Sequence, residues 1–130
     1  LANITNLTIE NLTIDNNTYD GVALYNPVYN SLILNNTITN NCPGLSFEDV
    51  YALDITNNTI YNNSEDGTYF NGNVYRLNMS GNNLSYNSEN GIDANHSINI
   101  VNSSIEHNNI SSNSDSGLYI GDYSSNNTIA

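Results

Sequence analysis

Asn57-Asn-Thr-Ile60-Tyr-Asn-Asn63-Ser-Glu-Asp-Gly67 and Asn82-Asn-Leu84-Ser-Tyr-Asn87-Ser-Glu-Asn-Gly91 are two copies of one unit. Each sets an Asn, an apolar residue two positions on, a second Asn three further, and a Gly four beyond that. Working outward, Gly21, Gly44, Gly67, Gly91 and Gly117 follow one another at 23, 23, 24 and 26 residues. A period in this range marks a solenoid, whose units bury an apolar face only against their neighbours. After each Gly an alternating segment follows, as in Gly21-Val-Ala-Leu24 and Gly44-Leu-Ser-Phe47. That is the period of a strand with one buried face. Upstream lie Ile14, Ile38, Ile60, Leu84 and Ile110, and before these Ile9, Ile33, Ile55, Met79 and Ile105. Leu7, Leu53 and Leu77 stand two residues earlier still. No segment sustains apolar residues at helical spacing over three turns. Asn, Ser, Thr and Gly also disfavour helix and suit turns. The pattern predicts an all-β chain of five to six coils of 22–26 residues, each with about three short parallel strands.

Asn17, Asn41, Asn63, Asn87 and Asn113 form one column of the repeat, each three residues after an apolar strand position. In stacked coils they would lie about 4.8 Å apart. Their amides could then bond rung to rung in a ladder, and their backbones are expected to take the left-handed turn that Asn tolerates. Asn36, Asn58, Asn82 and Asn108 form a second column.

Of 130 residues, 30 are Asn, 15 Ser and 10 Thr, and only 11% are charged. The periodicity argues against disorder despite this composition. The net charge of −12 arises because Arg76 is the only Lys or Arg. One cation cannot neutralise a phosphate backbone or hold an anionic membrane, so nucleic-acid and membrane-surface binding are excluded. No apolar run approaches the roughly 18 residues of a spanning helix. Without an initiator Met the chain reads as mature or excised from something longer. Cys42 has no internal disulfide partner and reads as a half-buried turn residue. The whole of 1–130 reads as one domain.

The two quoted units look like the parallel β-helix repeat of the pectate-lyase-like superfamily, over roughly residues 7–120. The nearest flavour is the carbohydrate-binding and sugar-hydrolase type. That type includes NosD-like periplasmic proteins and repetitive surface proteins of archaea and bacteria. The resemblance implies a right-handed, single-chain parallel β-helix. Function is not implied by it, because lyases, hydrolases, epimerases, adhesins and copper-accessory proteins share the fold. A lyase of this kind needs a basic residue, and Arg76 stands alone. A hydrolase needs converging carboxylates, and Asp49, Asp93 and Asp122 sit at different offsets after their glycines. For copper, His96 and His107 are supported only by Met79, which falls in an inward column.

Several residue sets remain as candidates. Glu65, Glu89 and Asp115 each stand two before a Gly, a solvated acidic turn or a Ca²⁺ site. No other cofactor is expected. Tyr25, Tyr29, Tyr51, Tyr75 and Tyr123 are read in the corner after the post-Gly strand, and Tyr69 and Tyr119 on its outward face. They either cover backbone or present a strip to a glycan or partner. Asn-x-Ser/Thr occurs at Asn3, Asn6, Asn11, Asn16, Asn35, Asn57, Asn62, Asn78, Asn83, Asn95, Asn102, Asn109 and Asn126, none of them in the first Asn column. These are N-glycosylation acceptors or a product of the repeat. Both ends are patterned like coils, which predicts head-to-tail self-association or continuation in a longer solenoid. The leading expectation is a non-catalytic, extracellular structural or adhesive module of a surface layer, sheath, filament or large surface protein. The alternative is a polysaccharide-binding or polysaccharide-degrading domain.

Overall fold

A computed structural model describes residues 2–94 and 99–130. Within them all strand pairs are parallel, and the strands stack into three sheets that wrap one core. The first sheet holds β1 (Ile4–Thr5), β2 (Thr8–Glu10), β5 (Val28–Leu34), β8 (Val50–Thr56), β11 (Val74–Ser80), β14 (Ile100–Val101), β15 (Ser104–Glu106) and β18 (Thr128–Ile129). The second stacks β3 (Thr13–Asp15), β6 (Thr37–Thr39), β9 (Thr59–Tyr61), β12 (Asn83–Ser85) and β16 (Asn109–Ser111). The third stacks β4 (Val22–Leu24), β7 (Leu45–Phe47), β10 (Thr68–Phe70), β13 (Ile92–Ala94) and β17 (Leu118–Ile120). The chain therefore makes about five coils, as the glycine period predicts.

The core is a set of columns with one residue per coil. Ile33, Ile55 and Met79 align in register and are buried, and Ile38, Ile60 and Leu84 do the same on the second sheet. Phe47 and Phe70 stack in the third, with ring centroids 5.3 Å apart. Met79 is thus core packing, at 0% exposure.

Each coil turns at residues with positive φ, and these are not the ladder asparagines. Asn16, Asn40, Asn62, Tyr86 and Ser112 carry φ of 61°, 54°, 55°, 58° and 57°, each one residue before its ladder position. The left-handed residue reverses the chain, and the next one is then free to aim its side chain along the stack. Another left-handed column, including Asn30, Ala52 and Arg76, bends β5, β8 and β11 in mid-course. The first sheet is therefore two strand segments per coil joined at a kink.

The ladders are continuous. Asn41 N and Nδ2 donate to Asn63 Oδ1 at 3.0 and 3.3 Å, and Asn63 N and Nδ2 to Asn87 Oδ1 at 3.1 and 2.9 Å. Asn17 and Asn113 extend the same chain at its two ends. Asn36, Asn58, Asn82 and Asn108 repeat the arrangement. Two further ladders run the other way. Asn90 N and Nδ2 both donate to Asp66 Oδ1 at 2.9 Å, and Asn73 donates likewise to Asp49 Oδ1. A carboxylate only accepts, so Asp fits where such a ladder starts. One coil earlier those columns hold Pro43 and Pro27, whose side chains have no oxygen to accept the next rung.

Gly21, Gly44, Gly67 and Gly91 answer to close approach rather than to φ. A Cβ on Gly44 would lie 2.6 Å from Gly67 O and 2.9 Å from Asn63 Nδ2. Gly thus lets the ladder and the next coil close onto the turn.

Candidate functional site

The third sheet positions a cleft. Its outward middle column reads Ala23, Ser46, Tyr69, Asp93, Tyr119 in register. Small residues in the first two coils leave a hollow, and Tyr69 fills the column in the third. The cleft has a volume of about 670 Å³. Turns preceding β4, β7 and β10 supply one wall, with Tyr19, Asp20, Cys42, Pro43 and Glu65. Residues following the same strands supply the other, with Tyr25, Glu48 and Asn71. Tyr25 Oη donates to Asp20 Oδ2 at 2.7 Å, and this pair spans β4 and closes that end.

The electrostatics are one-sided. The hydrogen bond to Asp20 holds the Tyr25 phenol above its usual range, with burial and the Asp20 charge adding to it and a Ser46 hydrogen bond opposing. Burial lifts the Tyr69 phenol, and Asp93, Asp66 and Glu65 lift it further. At Cys42 the Ser64 hydroxyl pulls the thiol down, but burial and the carboxylates of Glu65 and Asp20 leave it raised. A raised thiol is a poor nucleophile at neutral pH.

The family model for the right-handed β-helix region matches residues 1–105. The chain belongs to the right-handed β-helix family. No curated protein and no solved structure matches it.

This β-helix divides the tyrosines of the sequence reading among separate places. Tyr25 and Tyr69 line the cleft. Tyr29, Tyr51 and Tyr75 lie within β5, β8 and β11, not in a corner, and stack on the first sheet with centroids 4.9 and 5.4 Å apart. Tyr119 is on the cleft's sheet two coils beyond Tyr69, and Tyr123 is exposed in a turn. Tyr19 and Glu48 were not anticipated as cleft residues. The signal that could have found them is the pair of small residues, Ala23 and Ser46, in a column otherwise holding Tyr and Asp.

Glu65, Glu89 and Asp115 stand on successive coils, joined through their backbones. Among the described residues no group of three or more His, Cys, Asp or Glu is disposed to hold a metal ion. Asp93 is in mid-strand in β13 and not after the strand, Asp49 begins a ladder, and Asp122 is exposed in a turn. Arg76 is exposed at the first-sheet kink, away from the cleft-lining residues. His107 is exposed at a corner.

The glycosylation sequons acquire a geometric origin. Asn6, Asn11, Asn16, Asn35, Asn57, Asn62, Asn102 and Asn126 all have positive φ and are exposed. The inward or ladder residue comes next, and for most the third position opens a strand, where Thr or Ser suits the pleat. Corner, ladder and strand thus write Asn-x-Thr by themselves. Asn3 and Asn109 are exposed, and Asn78 and Asn83 are half-buried in strands. Asn95 and His96 lie outside the described residues.

Proposed function

We propose that this β-helix is a non-catalytic structural or adhesive module of an extracellular surface assembly. Support comes chiefly from the repeat itself. Asn ladders and inward apolar columns run rung to rung through the rod, a rigid stack in which each coil contacts only its neighbours, and the described surface exposes most of the sequons. The narrower kinship, to the pectate-lyase-like superfamily and NosD-like proteins, belongs to this proposal, as do sugars on the exposed sequons.

Negative-stain electron microscopy of the concentrated chain tests the reading. Head-to-tail rods or filaments are the expected outcome. A protein that stays monomeric at millimolar concentration would count against it. A second reading, polysaccharide binding or cleavage, is favoured by the tyrosine-lined cleft, since sugar rings stack on aromatic faces. Saturable binding of neutral oligosaccharides, with reducing ends released on incubation, would establish it.

A further inference from the structure

We infer that the cleft on the third sheet is a binding site for an organic ammonium group. Three features of the cleft converge on this class. Tyr19, Tyr25 and Tyr69 offer ring surface, and the negative face of an aromatic ring attracts a cation within about 6 Å. Asp20, Glu48 and Glu65 surround the same space, and among the described residues no Lys, Arg or His lines it. The hollow, at about 670 Å³, is the size of an organic ligand, while among the described residues no set of carboxylates there is disposed for a bare metal ion.

Charge selects among ligands that could stack on tyrosine. Polyuronates and phosphates are repelled by the three carboxylates and by the net charge of −12. A neutral sugar could accept and donate hydrogen bonds but would leave those carboxylates uncompensated as it displaced their water. An alkylammonium group, or the ammonium of an amino sugar, compensates them and keeps the ring contact. Ser46 makes the space, because its neighbour in the column, Tyr69, occupies the equivalent volume one coil on.

The site does not depend on end-to-end stacking, so monomer and filament should bind alike. The test is titration at constant ionic strength with choline and with its neutral isostere 3,3-dimethyl-1-butanol, read by the ring resonances of the tyrosines. Choline is expected to shift Tyr25 and Tyr69 saturably, with the isostere at least tenfold weaker. Glucosamine against N-acetylglucosamine then distinguishes an amino sugar from a simple amine. Ser46→Tyr, which fills the hollow without changing charge, should abolish binding. Tyr69→Ser should weaken it tenfold or more and serves if the first variant fails to fold. Alkylation of Cys42 by iodoacetamide should slow in saturating choline. Equal affinity for choline and its isostere, or choline shifts that survive both variants, would reduce the effect to diffuse counterion attraction and overturn the proposal.

Discussion

Thr68 occupies an inward column between Leu45 and Ile92, at 0% exposure, and its hydroxyl has no hydrogen-bond partner among the described residues. A buried unpaired hydroxyl costs roughly 1–3 kcal/mol. Thr68→Val keeps the shape and removes that cost, so its urea midpoint should rise by the equivalent of about 1–2 kcal/mol. An unchanged or lower midpoint would show that the hydroxyl is satisfied. Asn63 is the opposite case. Its Oδ1 accepts from both Asn41 N and Nδ2, in a residue that is 1% exposed. Asn63→Ala leaves those donors buried without an acceptor and should cost about 1–3 kcal/mol in the same experiment. Asn62→Ala, at the exposed left-handed corner beside it, should cost only about 1–2 kcal/mol, through backbone strain. Equal melting of Asn63→Ala and the parent would remove the ladder from the stability of the fold.

At the scale of the element, the turns before the third sheet form an acidic edge. Burial raises the Asp66 carboxyl above its ordinary value of 3.8, with Asn90 hydrogen bonds opposing and the charges of Asp93 and Glu65 adding to it. Glu89 is raised too, first by burial and then by Asp66, Glu65, Asp93 and Asp115. A carboxyl that binds its proton more tightly when folded stabilises the fold fully below its unfolded pKa. That contribution is lost as pH rises through the folded value. Stability should therefore fall as pH climbs from about the unfolded value of 3.8 through the acid range. Asp66→Asn retains the Oδ1 that accepts from Asn90 while deleting the charge. It should melt higher than the parent at pH 7 and lose that advantage at pH 3. A constant difference across the range would assign the effect to packing.

For the whole molecule, the repeat makes coils interchangeable. Residues 45–67 begin just after Gly44 and end on Gly67, so deleting them joins Gly44 to Thr68 in the context Gly67 supplies. Gly21, Gly44, Gly67 and Gly91 stack in order, and the two Asn columns and the inward columns stay in register across the new junction, whereas Asn73 and Asn90 lose their acceptors Asp49 and Asp66. Each unit contacts only its neighbours, and stability is close to a sum of such contacts. The deletion variant should keep the β-type circular dichroism of the parent and unfold cooperatively, with a lower midpoint and a smaller denaturant slope. Loss of all β signal would mean that the deleted coil holds something its neighbours cannot replace. The cleft, which crosses that coil through Ser46, Glu48 and Glu65, should be lost even if the rod survives.

What was legible in the sequence is what repeats along one dimension. The glycine period, the alternation after each Gly and the inward Ile, Leu and Met columns fixed the coil count and the core. The pattern repeats because each coil must present the same face to the next. The two Asn columns were readable for the same reason, since a ladder requires one residue per rung. The tertiary structure decided what depends on direction around the coil. It moved the left-handed turn one residue ahead of each ladder Asn, so that the corner residue stays exposed while the next one turns its amide into the buried stack. It separated Tyr29, Tyr51 and Tyr75 on one sheet from Tyr25 and Tyr69 on another. It also created a cleft out of residues from three coils, whose walls come from opposite ends of their strands. Such a hollow depends on which small side chain lies between which larger ones once the coils are stacked, and that lateral arrangement is set only when the rod closes around its core.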